Sequence, residues 1–349
     1  MNESCERGRI MADKRIMLAH GDGGALTHRL VQELFLRHFP HPTLHGLTDG
    51  ALLPQPNGPM VMSTDSFVVN PIFFPGGDIG KLAVAGTVND LAVSGARPLY
   101  LSVGFILEEG LPINELEQVV HSLAQAAEAA GVAVVAGDTK VVEKGHGDGI
   151  YINSTGIGVL PVGRDFGYHR IAPGDIILIN GFVGDHGLAI LSKRAGLTFD
   201  TPVQSDCAPL NGLIETLLER VPKVPSAVKF MRDPTRGGVA TTLKEIALST
   251  GRDIYLDESS LPLREGVQGA AELLGLDPLY LANEGKVLVV VAPEAAEAVL
   301  AIMGEHPLGR DGAIIGRVSE GTGQVYLRTP LGGHRILDML AGDPLPRIC

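Results

Sequence analysis

The chain has 349 residues, 45% of them hydrophobic and 19% charged, so it can bury a full core and two domains of ordinary size are expected. Against 28 Lys and Arg stand 40 Asp and Glu, a net charge of −12 with no Trp, which excludes a basic footprint for nucleic acid or an anionic membrane and an aromatic stacking platform. The three cysteines, Cys5, Cys207 and Cys349, form neither a disulfide framework nor a CxxC metal pair, and the polar start MNESCERGRIMADKR has no apolar signal core, so a cytoplasmic protein is expected.

Residues 1–15 read as a disordered tail. GDGGALTHRLVQELFLRHF is a Gly-rich turn opening a helix, with Leu30, Leu34 and Phe35 at helical spacing. PMVMSTDSFVV reads as a strand, GGDIGKLAVAGTVNDLAVSGA as a helix and PLYLSVGFIL as a strand. INELEQVVHSLAQAAEAAG is an amphipathic helix stopped by Gly131, and VAVVAGD is a short buried strand before the strand IYINSTGIGVL. Near GRDFGYHRIAPGD the pattern restarts: strand IILIN, helices in GDHGLAILSKRAG, NGLIETLLERV and TRGGVATTLKEIALSTG, strands DIYLD and KVLVVV, helix PEAAEAVLAIMG, then strands in GAIIGRV and QVYLR. The apolar run from Val287 to Met303 is cut by Pro293, Glu294 and Glu297, so it is strand, turn and helix rather than a membrane span. The mixture predicts two α/β (α+β) domains, 16–164 and 172–340, and a flexible tail, 341–349, kept extended by Pro344 and Pro346.

Four features can carry chemistry. Asp65, Asp90, Asp138 and Asp233 lie beside glycines or strand ends. Asp90 sits among Val88, Leu91 and Ala92, where a carboxylate needs a partner such as Mg²⁺, although each of the four alone reads equally as a turn or capping Asp. Glycine pairs at helix starts, Gly23-Gly24, Gly76-Gly77 and Gly237-Gly238, can cradle phosphate with Lys81 and Arg236 as counter-charges, or simply make turns. No GxxxxGK[ST] motif is present, so a nucleotide site here is not of the Walker type. Lys140 in GDTK and Glu284 in NEGK are candidate acid–base groups beside apolar strands, or members of surface ion pairs. Cys349, the last residue, is a candidate nucleophile or carrier on a mobile arm, while Cys207 reads as buried and inert. His20, His121 and His186 show no metal spacing and read as structural.

AHGDGG, STDSF, FFPGGDIGKLAVAGTVNDLAVSGA, GFILEEGLP, AGDTKVV, GDHG, SDCAPL, RDPTRGGV, NEGK and the terminal PRIC together resemble the HypE family of carbamoyl dehydratases. The resemblance runs from about residue 16 to the end and departs in the N-terminal extension and in Asp22. That family belongs to the superfamily of aminoimidazole ribonucleotide synthetase and selenophosphate synthetase. The resemblance implies two-domain subunits of mixed sheets flanked by helices, with N-terminal domains forming a homodimer and the nucleotide near that interface. It implies ATP and Mg²⁺, the metal on Asp65, Asp90, Asp138 and Asp233, with Gly76, Gly77, Lys81, Asn89, Thr139, Arg236, Gly237 and Gly238 around the nucleotide. It further implies [NiFe]-hydrogenase maturation: a HypF-type carbamoyltransferase loads Cys349, ATP activates the carbamoyl oxygen, Lys140 and Glu284 handle protons, and the thiocyanate serves a HypC–HypD-type iron scaffold. Two other readings are a synthetase acting on a free substrate and a non-catalytic carrier.

Overall fold

The computed structural model describes residues 15–197, 203–221, 227–340, 342 and 347–349. The expected N-terminal tail, with Cys5, lies outside the described residues apart from Arg15, as do Pro344 and Pro346.

The N-terminal half opens with short helices, α1 (Ala25–Leu30), α2 (Leu36–His38) and α3 (Pro42–His45), a π-helical turn at Val31–Phe35 joining the first two. Then come β1 (Met60–Phe67), the two-residue strands β2 (Phe73–Phe74) and β3 (Gly77–Asp78), α4 (Ile79–Val93), β4 (Arg97–Glu108), α5 (Ile113–Ala130), β5 (Ala133–Val142) and β6 (Ile150–Val159). The main sheet runs in the order β1-β6-β4-β5, with β4 and β5 parallel and the other pairs antiparallel. One face of this sheet is covered by α4 and α5. The other is open and carries Met60, Met62 and Ile106, at 66%, 69% and 44% exposure.

In the C-terminal half follow β7 (Ile176–Ile179), α6 (Asp185–Ala195), α7 (Asn211–Arg220), β8 (Val228–Arg232), α8 (Gly238–Thr250), β9 (Asp253–Asp257), α9 (Glu265–Leu274), β10 (Leu288–Val291), α10 (Ala296–Glu305), β11 (Ala313–Ser319), β12 (Val325–Arg328) and β13 (His334–Leu337). Seven strands form one sheet in the order β13-β12-β9-β11-β7-β10-β8. The reading from sequence passed over β8, α9 and β13, and it ended β5 at Asp138, whereas the strand continues through Val142.

The two halves share a core through α4. Twelve of its fifteen residues are buried, because it packs on the sheet and α5 on one side and on α7 of the second half on the other. Asp78 starts it, its Oδ1 accepting from Gly80 N at 2.7 Å and Lys81 N at 3.2 Å, the usual way of satisfying the first amides of a helix. A helix buried on every side must partner each polar group it carries. Thr87 meets Ser154 at 2.5 Å, and Asn89 donates to the carbonyls of Ala208 and Glu284 while accepting from Leu210 N at 2.7 Å. Asp90 accepts from Ser63 Oγ at 2.5 Å. The N-terminal apolar core then continues into Leu188, Ile190, Cys207 and Leu281, and it takes in Ile348 from the C-terminal segment.

Candidate active site between the two domains

A polar cleft of about 510 Å³ separates β1 and α4 from the end of β8 and the start of α8, and Ser63, Asp90, Asp233, Thr235 and Arg236 line it. Asp65 and Ser63 point from β1 toward α4, because alternate residues of a strand face one side and Phe67 fixes that side as the core. Asp233 enters from the opposite wall, in the turn between β8 and α8.

These acids repel one another. Burial, with the charges of Asp233 and Asp65, pushes the Asp90 carboxyl up to about 7, against the hydrogen bond from Ser63. Burial chiefly, with Asp65 adding, pushes Asp233 up to about 6. Glu284 is 3% exposed; burial and then the charges of Asp233, Asp206, Asp65 and Asp90 raise it well above the carboxylate range. Its Oε1 is buried with no hydrogen-bond partner among the described residues, and so is Thr241 Oγ1 in the first turn of α8. A cleft lined by mutually destabilised carboxylates has the donor set of a hard cation that brings phosphate with it. Among the described residues no three acids, histidines or cysteines close into a metal-binding group. Mg²⁺ fits such an open arrangement, since it ordinarily uses one or two protein carboxylates and completes its shell with water and phosphate oxygens.

The NEGK loop that presents Glu284 is fixed from every side. Asp206 accepts from Glu284 N at 3.0 Å, Gly285 N at 3.1 Å and Lys286 Nζ at 3.0 Å, all in the interior. Gly285 is required, since a Cβ there would lie 1.9 Å from the Asp206 carbonyl oxygen. Asn283 and Asn180 brace the loop from behind, Asn283 Oδ1 on Gly184 N and Asn180 Oδ1 on Val287 N, both at 2.8 Å.

The C-terminal segment is seated past the end of β1. Cys349 O accepts from Val68 N at 3.3 Å, and Arg347 O accepts from Asn70 N at 3.2 Å and from Arg194 at 2.7 Å. His186 Nε2 lies 2.8 Å from Ile348 O, Ile348 is buried, and Arg347 pairs with Asp148. The expected flexible tail is therefore docked over residues 347–349. His186, which the sequence suggested was merely structural, is one of its contacts; no spacing signal links the two, because 162 positions separate them.

Other expected site residues fall elsewhere. Asp138 and Lys140 form an ion pair at 3.0 Å, both more than 60% exposed, and that contact lowers the Asp138 carboxyl. Strand order puts β5 at the edge opposite β1, and alternation puts Asp138 on the open face while Asp65 faces α4. Within one chain Asp138 thus lies apart from Asp65, Asp90 and Asp233. With Thr139, the pair lines a separate cavity of about 300 Å³ under α1–α3, walled by Val31, Phe35, Phe39 and Phe105.

Gly76-Gly77 is not an open phosphate cradle, since the Asp78 carboxylate takes the first amides of α4 and Lys81 Nζ bonds to Gly76 O at 2.9 Å. Gly76, at φ +93°, packs so closely on Ser205 that a Cβ would come within 2.7 Å of its backbone. Gly23 and Gly24 likewise give their amides to Thr27 and Asp22. Gly237 and Gly238 do open α8 at the cleft, below Thr241, and Asn89 serves as a brace that joins the domains. Cys207 is buried as expected, its thiol pushed well up by burial.

The family model for the N-terminal domain of AIR synthase related proteins matches residues 47–160, and that for their C-terminal domain matches residues 172–328. The chain is 51% identical over 337 residues to a protein of Cupriavidus necator named carbamoyl dehydratase HypE, covering 96% of this chain and 95% of that one. A crystal structure of hydrogenase maturation protein HypE in complex with ATP is 52% identical with a TM-score of 0.91, over 95% of this chain and 99% of that one. The HypE chain of a HypE–HypF complex is 50% identical with a TM-score of 0.78, over 91% and 100%. The chain therefore belongs to the HypE carbamoyl dehydratase family, within the AIR synthase related proteins.

Proposed function

We propose that the protein is an ATP-dependent dehydratase of hydrogenase maturation that converts a carbamoyl group on the Cys349 sulfur into a thiocyanate. The observation that carries this reading is the seat of the C-terminus: Cys349 is held by Val68, three residues along the chain from Asp65, roughly 10 Å at the rise of a strand. A diffusible substrate needs no such tether, which sets aside the synthetase alternative. A pure carrier has no use for a strained acid cleft.

Asp65, Asp90 and Asp233 are the residues to hold Mg²⁺. When bound, the ion neutralises charge on the transferring phosphoryl group. The start of α8, with Thr241 whose Oγ1 has no partner among the described residues, is assigned to the phosphate, and Arg236 in the cleft lining supplies a cation. Attack of the thiocarboxamide oxygen on the γ-phosphorus breaks its bond to the β,γ-bridging oxygen, releases ADP and turns a poor leaving group into phosphate. The amide nitrogen then gives up two protons, one as the C=N bond forms and one as phosphate leaves, and the C≡N of the thiocyanate results. Glu284 is the base assigned to this nitrogen: it is rigidly held, its Oε1 has no other partner, and a carboxylate with a raised pKa is a strong base once ionised.

Two further elements complete the proposal. Two copies pack through the open face of the N-terminal sheet, where Met60, Met62 and Ile106 are exposed alongside Asp138 and Lys140, and such packing lets an edge-strand lysine act near a thiol held at β1. A HypF-type transferase supplies the carbamoyl group, as the HypE–HypF complex of a 50% identical relative suggests, and a HypC–HypD-type scaffold accepts the product.

The test is the mass of the C-terminal peptide after incubation with carbamoyl phosphate, the transferase and Mg·ATP. A cyano group on Cys349 is expected, and an unmodified tail with ATP still consumed would return the synthetase reading.

A further inference from the structure

Sequence position and spacing leave His186 without a role, yet the fold gives it two directed bonds in the interior. The ring is fully buried at the start of α6, edge-on to Phe74 at 5.5 Å between centroids. Nε2 lies 2.8 Å from the Ile348 carbonyl oxygen and Nδ1 2.8 Å from Ser205 Oγ. A carbonyl only accepts, so Nε2 carries the proton. Nδ1 then accepts from the Ser205 hydroxyl, whose oxygen in turn accepts from Cys207 N at 3.1 Å. Ser205 is fixed by its own amide on Pro75 O at 2.8 Å. The chain Cys207 N–H, Ser205 O–H, His186 N–H and Ile348 carbonyl is satisfied at every link and points one way. Burial lowers the pKa of the imidazole, which keeps the ring in the neutral tautomer this chain needs.

We propose that His186, oriented by Ser205, is the positioning residue that seats the C-terminal segment and so sets where the Cys349 sulfur rests; the proposal deepens the carrier reading of Cys349 and rests on it. Ile348 directly precedes the thiol residue, so holding its carbonyl fixes the peptide plane from which the cysteine projects. Bonds from Val68, Asn70 and Arg194 fix the segment along its length. His186 meets it through a side chain with a single allowed tautomer.

The experiment uses the full chain and follows alkylation of cysteines by iodoacetamide, read by peptide mass, in wild type, His186→Phe, His186→Gln and Ser205→Ala. Buried Cys207 reports unfolding in the same samples. Loss of one buried hydrogen bond should raise the Cys349 alkylation rate about three- to tenfold in His186→Phe with Cys207 still protected. His186→Gln, which can place an amide N–H near Nε2, should restore much of the protection, and KM for ATP should stay unchanged while kcat for thiocyanate formation falls. Should His186→Phe fail to fold, Ser205→Ala carries the same test, because it removes the hydroxyl bonded to Nδ1; as it also takes the acceptor from Cys207 N, its folding is checked by thermal melt. Equal Cys349 rates in all folded variants would overturn the proposal. Altered rates with no cyano adduct in wild type would uphold the seat and remove the carrier reading instead.

Discussion

Ser63 Oγ donates to Asp90 Oδ2 at 2.5 Å, bridging β1 and α4 at the floor of the interdomain cleft. That bond offers a neutral donor to a carboxylate otherwise faced by Asp65 and Asp233. It holds Asp90 in place but does not offset the repulsion, which leaves room for a cation to do so. Asp90→Asn keeps the Ser63 contact and the shape of α4 while removing the charge. The expected outcome is a loss of Mg²⁺-dependent ATP hydrolysis by about 100-fold or more, with an unchanged circular dichroism spectrum. Unaltered turnover would take Asp90 out of the site.

The same charges predict how the metal-free protein responds to pH. Asp90 and Asp233 have folded-state values, about 7 and about 6, above the ordinary carboxylate value of 3.8. The native state therefore holds protons that the unfolded chain has released. The stability these two groups contribute is complete below about pH 4 and is lost as pH rises to 7. Asp90→Asn removes part of that penalty. In the presence of EDTA it should melt above wild type at pH 8, by roughly 1–3 kcal/mol, and the gap should close toward pH 5. Adding Mg²⁺ should stabilise wild type more than the variant. Thermal melts at the two pH values check both statements.

Glu284→Gln tests the proton step. The backbone bonds from Glu284 and Gly285 to Asp206 remain, so the NEGK loop should stay in place. The carbamoyl adduct should accumulate on Cys349 while thiocyanate formation falls about 10²- to 10⁴-fold. Thiocyanate appearing at the wild-type rate would move the base elsewhere.

Association through the open sheet face is checked by Met62→Glu. Met62 is 69% exposed in the single chain, so the change costs a monomer little, whereas a charge buried at a sheet–sheet interface is costly. Light scattering should show dimers for wild type and monomers for the variant.

Much of this was legible in the sequence. The amphipathic period of α5 with its Gly131 stop, the mostly apolar α4 and the Gly-flanked acids of the cleft were each readable from local pattern. So were the two mixed α/β halves. What escaped depended on the third dimension. VKFMR is short and half charged, so β8 shows its strand character only through pairing with β10. Nothing local marks β5 as running on past Gly137-Asp138, so GDTK does not reveal that Lys140 lies within the strand. Grouping Asp138 with Asp65 ignored strand order and alternation, which together place them at opposite edges and on opposite faces. His186 and Ser205 gain meaning only when the last residues fold back across them.

That returning segment is held through its main chain. Three successive carbonyls, of Arg347, Ile348 and Cys349, accept bonds, and the Ile348 side chain is buried. The main-chain part of that berth is the same for an empty and a loaded arm, so loading acts on docking through the contacts of the cysteine side chain and of the group it carries. Release means giving up several peptide bonds to solvent along with an isoleucine, on the order of a few kcal/mol. A protein that loads or unloads the thiol can offset that cost by offering the arm a strand edge of its own. Handover then becomes an exchange of main-chain pairing partners, with the cargo carried along at the end of the peptide.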